Sequence, residues 1–391
     1  MIFHARRYDS GEWIRLELAG DRIAQIVPAV AGAGAPPASW IAPGLVDLQI
    51  NGYGGQEFSS PQLTSEKVAA IVEAVLAGGV TRFCPTITTE SFAVLSHSVQ
   101  TIARACKESP DLARRIVGIH LEGPYISPED GPRGAHPRQH CRAPDWDEFQ
   151  RLQEAAGGLI RLLTVSAEYE PSAGFIRRAV AAGVVTSIGH TAATPAQIHA
   201  AVDAGARLST HLGNGCHPLL PRHPNYIWSQ LADDRLTASL IADGHHLPAE
   251  VVKCLIRAKS VDRCILVSDL SGMAGLPPGR YAGSLVPLEI LADGRLVVAG
   301  QRAMLAGASA PLSVGVANAA QFAGIGLAAA IRLATLNPAR LMGITPAGWS
   351  AERPTDFILF EIVETSGGLP PQMAIRAVVA EGRLRAGKLM Q

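Results

Sequence analysis

The feature that most constrains the fold is the alternation of short apolar runs with helix-like segments along most of the chain. Eight runs rich in apolar and β-branched residues lie near residues 42–50, 80–86, 116–122, 159–167, 184–190, 206–212, 236–243 and 264–269. Most are nearly continuous in hydrophobicity, as is typical of parallel strands buried on both faces. Eight strands that alternate with helices over roughly 230 residues predict an α/β fold, a (β/α)₈ barrel of the TIM type.

The segments between these runs carry signals for the ends of helices. Residues 63–78 place Thr64 before the first turn and a glycine at the end, and residues 194–205 begin with Thr194 followed by proline and also end in glycine. Residues 247–259 follow a similar pattern. A doubly wound open sheet is the alternative fold, but no Gly-x-Gly-x-x-Gly turn follows an early strand.

The two ends of the chain differ from its middle. Residues 1–41 and 354–388 contain alternating polar and apolar residues, and we expect them to pair into one small β-sandwich domain, with residues 31–39 as a Gly/Pro/Ala-rich linker. Residues 279–300 predict a hairpin after the eighth strand, with its turn at Asp293-Gly294. The expected division is therefore the N-terminal part of the small domain at 1–42, the catalytic barrel at 43–344 and the C-terminal part of the small domain at 345–391.

Composition narrows the class of partner. The 391 residues are 48% hydrophobic, and Lys+Arg and Asp+Glu both number 34, so the chain lacks the basic excess expected for binding nucleic acid or an anionic membrane. No apolar signal core stands at the start, and no apolar run approaches the ~18 residues of a membrane span. The six cysteines are scattered without a Cys-x-x-Cys pair. These features predict a cytoplasmic protein with reduced thiols.

Polar residues stand at the carboxyl ends of the predicted strands, where (β/α)₈ barrels carry their active sites. Packing alone would scatter such residues along the strands. The strand ends carry Asp47, Gln49 and Asn51 on the first strand, Glu122 on the third, Glu168 on the fourth, His190 on the fifth, His211 on the sixth, Asp243, His245 and His246 on the seventh, and Asp269 on the eighth.

Three of these residues suit a metal ion. Glu122, His190 and His211 would supply one carboxylate and two imidazoles, and catalytic zinc sites use three protein ligands with an open position for water. Each histidine taken singly is more often structural, but their occurrence with Asp269 on separate strand ends favours a site. Ligand type alone does not separate zinc from iron or manganese.

Two further residues have candidate catalytic roles. Asp269 could accept a proton from an attacking water and later protonate a leaving nitrogen, although an aspartate here could also simply cap the next loop. His136 lies in the loop 133–140 and could polarise a substrate carbonyl, the alternative being an ordinary loop histidine. His140 and Cys141 suggest a structural zinc site only weakly, because no second pair exists.

The motifs resemble those of N-acetylglucosamine-6-phosphate deacetylases, which belong to the amidohydrolase superfamily of metal-dependent barrels with a small β domain. The resemblance covers nearly the whole chain. It is carried by APGLVDLQINGYGG, GGVTRFCPTITT, GIHLEGPYISP, GAHP, SIGHT, STHLGN, LIADGHH, LVSDLSG and TLNPARLMG.

The resemblance implies metal ligation by Glu122, His190 and His211, acid/base catalysis by Asp269, and a contact of His136 with the amide carbonyl. It implies substrate binding by Asn214, Gly215, Arg222 and His246. In that family the arginine reaches in from a neighbouring subunit, so a homodimer is implied. Many superfamily members carry His-x-His on the first strand, where this chain has Gln49-Ile50-Asn51. One tight divalent metal ion is therefore expected, with zinc favoured and iron, manganese or cobalt as alternatives, and a second one near Gln49 stays open.

The expected reaction is deacetylation of N-acetylglucosamine 6-phosphate to glucosamine 6-phosphate and acetate. Three segments depart from the family pattern around the sugar, namely GCHPLLPRHPNYIWSQ, SDLSGMAGLPPG and LAGASAP. Deacetylation of another N-acyl substrate therefore stays open, such as N-acetylgalactosamine 6-phosphate, an unphosphorylated amino sugar or an N-acyl amino acid. A cyclic amidohydrolase and a non-catalytic sugar-binding homologue are weaker alternatives.

Overall fold

The computed structural model describes residues 1–30, 39–282, 287–346, 349, 356–365 and 370–387. Strands and helices are numbered along the chain. The predicted barrel is confirmed as eight neighbouring parallel strands. In chain order they are β5 (Leu45–Ile50), β8 (Val80–Thr88), β9 (Ile119–Glu122), β10 (Ile160–Val165), β11 (Val185–Ile188), β12 (Leu208–Ser209), β13 (Thr237–Leu240) and β14 (Cys264–Leu266).

The barrel closes between its first and last strands, β5 and β14. The buried carboxylate of Asp47 on β5 accepts the backbone N–H of Ser268, just beyond β14, with both oxygens at 3.2 Å. Further along the same seam, the backbone N–H of Asp269 donates to the carbonyl of Gln49 over 3.0 Å. One side chain therefore helps to join two strands whose ladder hydrogen bonds are few.

Helices follow most of the barrel strands, and two of them begin after the threonine N-caps that the sequence predicts. Thr64 accepts the N–H of Lys67, and Thr194 forms a reciprocal capping box with Gln197. Within the described residues, the structure contains no helix that is both long and apolar enough to cross a bilayer. The helices are α1 (Ser65–Ala77), α2 (Phe92–Glu108), α3 (Pro110–Arg115), α4 (Trp146–Ala155), α5 (Ser172–Ala181), α6 (Pro195–Asp203), α7 (Tyr226–Ala232), α8 (Ala249–Lys259), α9 (Leu312–Ala323), α10 (Gly326–Leu333) and α11 (Leu336–Leu341), with 3₁₀ turns at Arg138–His140 and Val261–Arg263.

Strands β11, β12 and β14 stop earlier than the apolar runs suggest. The functional residues beyond them have left-handed backbone angles, with φ of 48° at His190, 30° at His211 and 55° at Asp269. Such angles are rare for residues other than glycine and cannot continue a strand. The three side chains therefore project from the loops that follow these strands. Strained backbone of this kind is often found at active sites.

The expectation that both termini build one β domain is confirmed. A seven-stranded sheet has the order β21-β20-β19-β4-β1-β2-β3. Gly382 lies against the backbone of Gly20 and Asp21, so turns from opposite edges of the sheet meet and the sheet curls around its own apolar core. The strands are β1 (Ile2–Arg7), β2 (Trp13–Ala19), β3 (Arg22–Pro28), β4 (Trp40–Pro43), β19 (Phe357–Val363), β20 (Gln372–Ala380) and β21 (Arg383–Gly387).

The predicted linker at 31–39 falls, apart from its last residue, outside the described residues, and the limits of the three segments stay a prediction. The predicted hairpin is larger than expected, because four antiparallel strands form it. The turn at Asp293-Gly294 is confirmed, with φ of 87° at the glycine. The strands are β15 (Gly279–Tyr281), β16 (Leu288–Ile290), β17 (Leu296–Val298) and β18 (Gln301–Leu305), and a short ribbon of β6 (Gly52–Tyr53) and β7 (Gln56–Glu57) follows β5.

Candidate metal centre and active site

A cavity of about 760 Å³ opens at the carboxyl ends of the barrel strands. Nine residues were given a metal-binding, catalytic or substrate-binding role from the sequence. Eight of them line this cavity, and Arg222 does not. The eight are Glu122, His136, His190, His211, Asn214, Gly215, His246 and Asp269.

Three donor atoms meet at the floor of this cavity. The Nε2 atoms of His190 and His211 lie 3.1 Å apart, and Glu122 Oε1 lies 3.4 Å from the first and 3.1 Å from the second. Ligands of a tetrahedral zinc ion with bonds of ~2.0–2.1 Å would be separated by ~3.3 Å. The three atoms are therefore spaced as ligands of one such ion, and their types, two imidazoles and a carboxylate, suit it.

The environment of these ligands also favours a cation between them. His190 Nδ1 lies 2.8 Å from the carbonyl oxygen of Pro132, so in the neutral ring Nδ1 carries the proton and Nε2 presents its lone pair to the cluster. Burial raises the pKa of Glu122, but hydrogen bonds and charge from the two histidines outweigh it and hold that pKa well below its ordinary value. Glu122 is thus an ionised carboxylate in a buried position.

His136 is the fourth group at the cluster. Its Nε2 lies 4.0 Å from Glu122 Oε2, and its ring stands nearly perpendicular to that of His190, with centroids 4.5 Å apart. Glu122, His136 and His190 could also hold a metal ion by distance alone, but the donors of His211 lie closer to the other two ligands. Burial lowers the pKa of His136 to about 3, so the ring is neutral at ordinary pH.

Asp269 faces the cluster from the end of the barrel seam. Its Oδ1 accepts the side-chain amides of Asn51 over 2.8 Å and of Gln49 over 3.1 Å. The Gln49 amide also donates to Glu122 Oε1 over 2.9 Å. Burial and then the negative charge of Glu122 raise the pKa of Asp269, which suits a group that accepts a proton. The first-strand amides therefore position the two carboxylates.

The residues expected to bind substrate divide into two groups. Asn214, Gly215 and His246 line the cavity, and Asp243 accepts the Nδ1–H of His246 over 2.7 Å and so fixes that ring. Arg222 lies exposed in the loop between β12 and α7 and does not line the cavity of its own chain. Leu219 in the same loop is 89% exposed.

Several residues near the centre were not assigned from the sequence. His120 on β9 points into the barrel below the cluster, where its Nε2 lies 2.8 Å from Thr164 Oγ1, and Thr164 is bonded in turn to Thr210 over 2.7 Å. Burial lowers the pKa of His120 to about 4, so this ring is neutral and structural. His120 lies two residues before Glu122 on β9, and alternate residues of a strand face the same side. This spacing was the sequence signal that His120 points into the barrel as Glu122 does.

The ribbon and the large hairpin also contribute to the cavity. Glu57 on β7 and Arg302 and Met304 on β18 line its wall. Glu168, although it stands at a strand end, does not line it and instead accepts the backbone N–H of Ala192 over 2.6 Å. The hairpin residues lie far from the strand ends in sequence, so strand-end reasoning could not find them.

Comparison with known proteins agrees with this geometry. The amidohydrolase family model matches residues 40–385. The N-acetylglucosamine-6-phosphate deacetylase of Homo sapiens is 35% identical over 313 residues, covering 78% of this chain and 75% of that protein. The N-acetylgalactosamine-6-phosphate deacetylase of Escherichia coli O157:H7 is 31% identical over 348 residues, covering 88% and 90%.

A solved structure extends the similarity to the whole fold. A mutant N-acetyl-D-glucosamine-6-phosphate deacetylase of Mycobacterium smegmatis in complex with N-acetyl-D-glucosamine-6-phosphate superposes with a TM-score of 0.86. It is 29% identical, and the match covers 99% of each chain.

Proposed function

Because the chain belongs to the amidohydrolase family and, within it, to the N-acetylglucosamine-6-phosphate deacetylases, we propose that it hydrolyses the acetamide of N-acetylglucosamine 6-phosphate to glucosamine 6-phosphate and acetate. The observation that carries the proposal is the meeting of Glu122, His190 and His211 at 3.1–3.4 Å beside the buried Asp269. A binding protein would need no such base beside three metal ligands.

Glu122, His190 and His211 would hold one divalent ion, and we propose zinc. When bound, the ion supplies a Lewis acid that polarises a carbonyl and makes water a stronger nucleophile at neutral pH. The NH₂ groups of Gln49 and Asn51 donate to carboxylates, and an amide oxygen binds a divalent ion more weakly than imidazole does, which supports a site for one tightly bound ion.

Asp269 moves the proton in the proposed reaction. Its Oδ1 is held by two amides, which leaves Oδ2 to accept a proton from the attacking water and to return it to the leaving nitrogen. His136, neutral and buried, donates a hydrogen bond to the acyl oxygen as negative charge develops there. The products are acetate and a free amine.

N-acetylgalactosamine 6-phosphate is the second candidate substrate, favoured by the likeness to the E. coli enzyme over 90% of that protein's length. An acetate-release assay over N-acetylglucosamine and N-acetylgalactosamine, each with and without the 6-phosphate, decides between the two. We expect the highest kcat/KM for N-acetylglucosamine 6-phosphate. Absence of acetate release from all four by metal-loaded protein would exclude the proposed function.

We also propose a homodimer in which Arg222 reaches the cavity of the partner subunit. Its exposed position outside its own cavity supports this arrangement, as do the exposed Leu219 and Trp228, which are 89% and 52% exposed on the same loop and the following helix. The six unpaired cysteines fit the reducing cytoplasm as the compartment.

A further inference from the structure

We propose that Arg302, on the large hairpin of the same chain, binds the phosphate group of the substrate. The inference rests on the proposed function and adds a specificity-determining residue to it. Arg302 lines the cavity together with other residues of β18 and the segment that follows, so the hairpin forms part of the wall that faces a bound sugar.

The backbone of β18 brings this residue to the cavity. Val297 on β17 pairs with Leu305, whereas the next residue of β17 pairs with Gln301. One step along β17 therefore corresponds to four residues along β18, and residues 302–304 form a bulge. Bulges redirect side chains away from the regular alternation of a strand and are common beside active sites.

The negative charge of the cavity wall makes a cation important for binding a phosphate group. Four carboxylates line the wall, those of Glu57, Glu122, Asp130 and Asp269. Among the described residues of the wall, Arg302 is the single lysine or arginine. A phosphate dianion in this cavity would be repelled by the carboxylates, so it needs a nearby cation, which Arg302 supplies from within the chain.

The other arginines of the hairpin are already engaged. Arg280 pairs with Glu289 at 3.4 Å, and Arg295 pairs with Asp293 at 2.8 Å. In the part of the chain that the structure describes, Arg302 makes no ion pair and no side-chain hydrogen bond. Its planar guanidinium therefore retains the donors that match two phosphate oxygens at once.

Kinetics with paired substrates test the inference. Arg302→Gln should raise KM for N-acetylglucosamine 6-phosphate by about 10- to 100-fold, the usual range for a lost charge-assisted hydrogen bond, and leave KM for N-acetylglucosamine nearly unchanged. Arg302→Lys should fall between, because it keeps the charge and loses the two-point contact. Arg295→Gln is the matched control from the same hairpin and should behave as wild type. Equal effects of Arg302→Gln on both substrates, or none, would overturn the inference.

A binding measurement separates this inference from the proposed function. Titration calorimetry of metal-loaded protein with glucosamine 6-phosphate and with glucosamine should show about 10- to 100-fold weaker binding of the phosphate in Arg302→Gln alone. If the wild type binds the phosphate through Arg302 but releases no acetate, the proposed function fails and the inference stands. If the wild type does not bind glucosamine 6-phosphate, or binds it no better than Arg302→Gln does, the inference fails whatever the acetate assay shows.

Discussion

At the scale of single residues, the side-chain amides of Gln49 and Asn51 bear on how many metal ions the site holds and how its carboxylates are oriented. Gln49 and Asn51 occupy positions where many superfamily members carry histidine ligands, and both use their NH₂ groups to hold carboxylates. The Gln49 amide donates to both Glu122 and Asp269 and so fixes the orientation of these carboxylates, while the metal position is left to Glu122, His190 and His211. The residue type at these two positions thus favours one metal ion and a well-oriented base.

The proposed role of Asp269 predicts that its substitution lowers kcat strongly without removing the metal ion. Asp269→Asn keeps the shape of the side chain but cannot accept the proton, so kcat should fall by at least about 100-fold. Asp130→Asn is the matched control, because Asp130 lines the same cavity and its side chain is 80% exposed in a pair with Arg133. Metal content of both variants is measured alongside. An Asp269→Asn enzyme with full metal and near wild-type kcat would contradict the assignment.

The ligand role of Glu122 predicts a loss of metal. Glu122→Gln removes the only carboxylate of the three clustered donors, and a neutral amide binds a divalent ion more weakly, so the purified variant should hold markedly less metal and recover activity only with excess zinc. Glu57→Gln serves as control, since Glu57 lines the cavity on β7. Metal content by mass spectrometry checks both. Full occupancy in Glu122→Gln would exclude Glu122 as a ligand.

At the scale of elements, sequence reasoning found the strands but not their exact ends. Apolar runs and caps predict the eight barrel strands and helices such as α1 and α6 because burial and capping are local properties of the chain. Strands β11, β12 and β14 end two or three residues before His190, His211 and Asp269, and an apolar run does not reveal the positive φ of these residues. The bulge in β18 likewise depends on pairing with β17, which no local pattern reveals.

The barrel seam predicts a pH effect on stability. Burial raises the pKa of Asp47 from 3.8 to about 7, although hydrogen bonds from Ser268 and Gln49 oppose the rise. Below about pH 4 Asp47 is protonated whether the chain is folded or not, whereas above about pH 7 only the folded state bears the cost of a buried charge. Its contribution to stability should therefore fall as pH rises from about 4 to about 7, by a few kcal/mol.

Comparison of wild type with Asp47→Asn isolates this effect. The variant is neutral at every pH and retains an oxygen that can accept a backbone N–H, so other titrating groups cancel in the difference. Urea unfolding of both proteins from pH 4 to pH 8 should show the free energy of unfolding of the wild type declining relative to the variant. A difference that is constant over this range would show that Asp47 stays ionised throughout.

At the scale of the whole molecule, the N-terminal and C-terminal parts of the chain meet in one sheet. Strand β4, from the N-terminal part, pairs with β1 on one side and with β19, from the C-terminal part, on the other. The fully buried Arg115 at the end of α3 pairs with Asp356 at 3.0 Å and so ties the barrel to the small sheet. The sequence predicted the shared domain from its two alternating ends. Arg222 lies outside the cavity of its own chain, so its place in a site rests on the proposed dimer, which contacts within one chain cannot reveal.

Mixed dimers test whether the second copy completes the site. Arg222→Ala and Asp269→Asn should each lower kcat/KM for N-acetylglucosamine 6-phosphate when expressed alone. If Arg222 acts across the interface, a mixed dimer contains one site with both residues intact, since the chain with normal Asp269 receives Arg222 from its partner. Random co-assembly should then recover roughly a quarter of wild-type activity, because half of the dimers are mixed and each has one complete site.

The alternative arrangement gives a different result in the same experiment. If Arg222 served the cavity of its own chain, every site in a mixed dimer would lack one of the two residues, and co-expression would restore nothing. The assay is run at substrate concentrations well below KM, where the rate falls in full proportion to any loss of phosphate binding. Unphosphorylated N-acetylglucosamine serves as the control substrate, because Arg222→Ala should leave its hydrolysis nearly unchanged. Light scattering shows whether the proteins are dimers, and a monomeric wild type with full activity would exclude any role of a partner subunit.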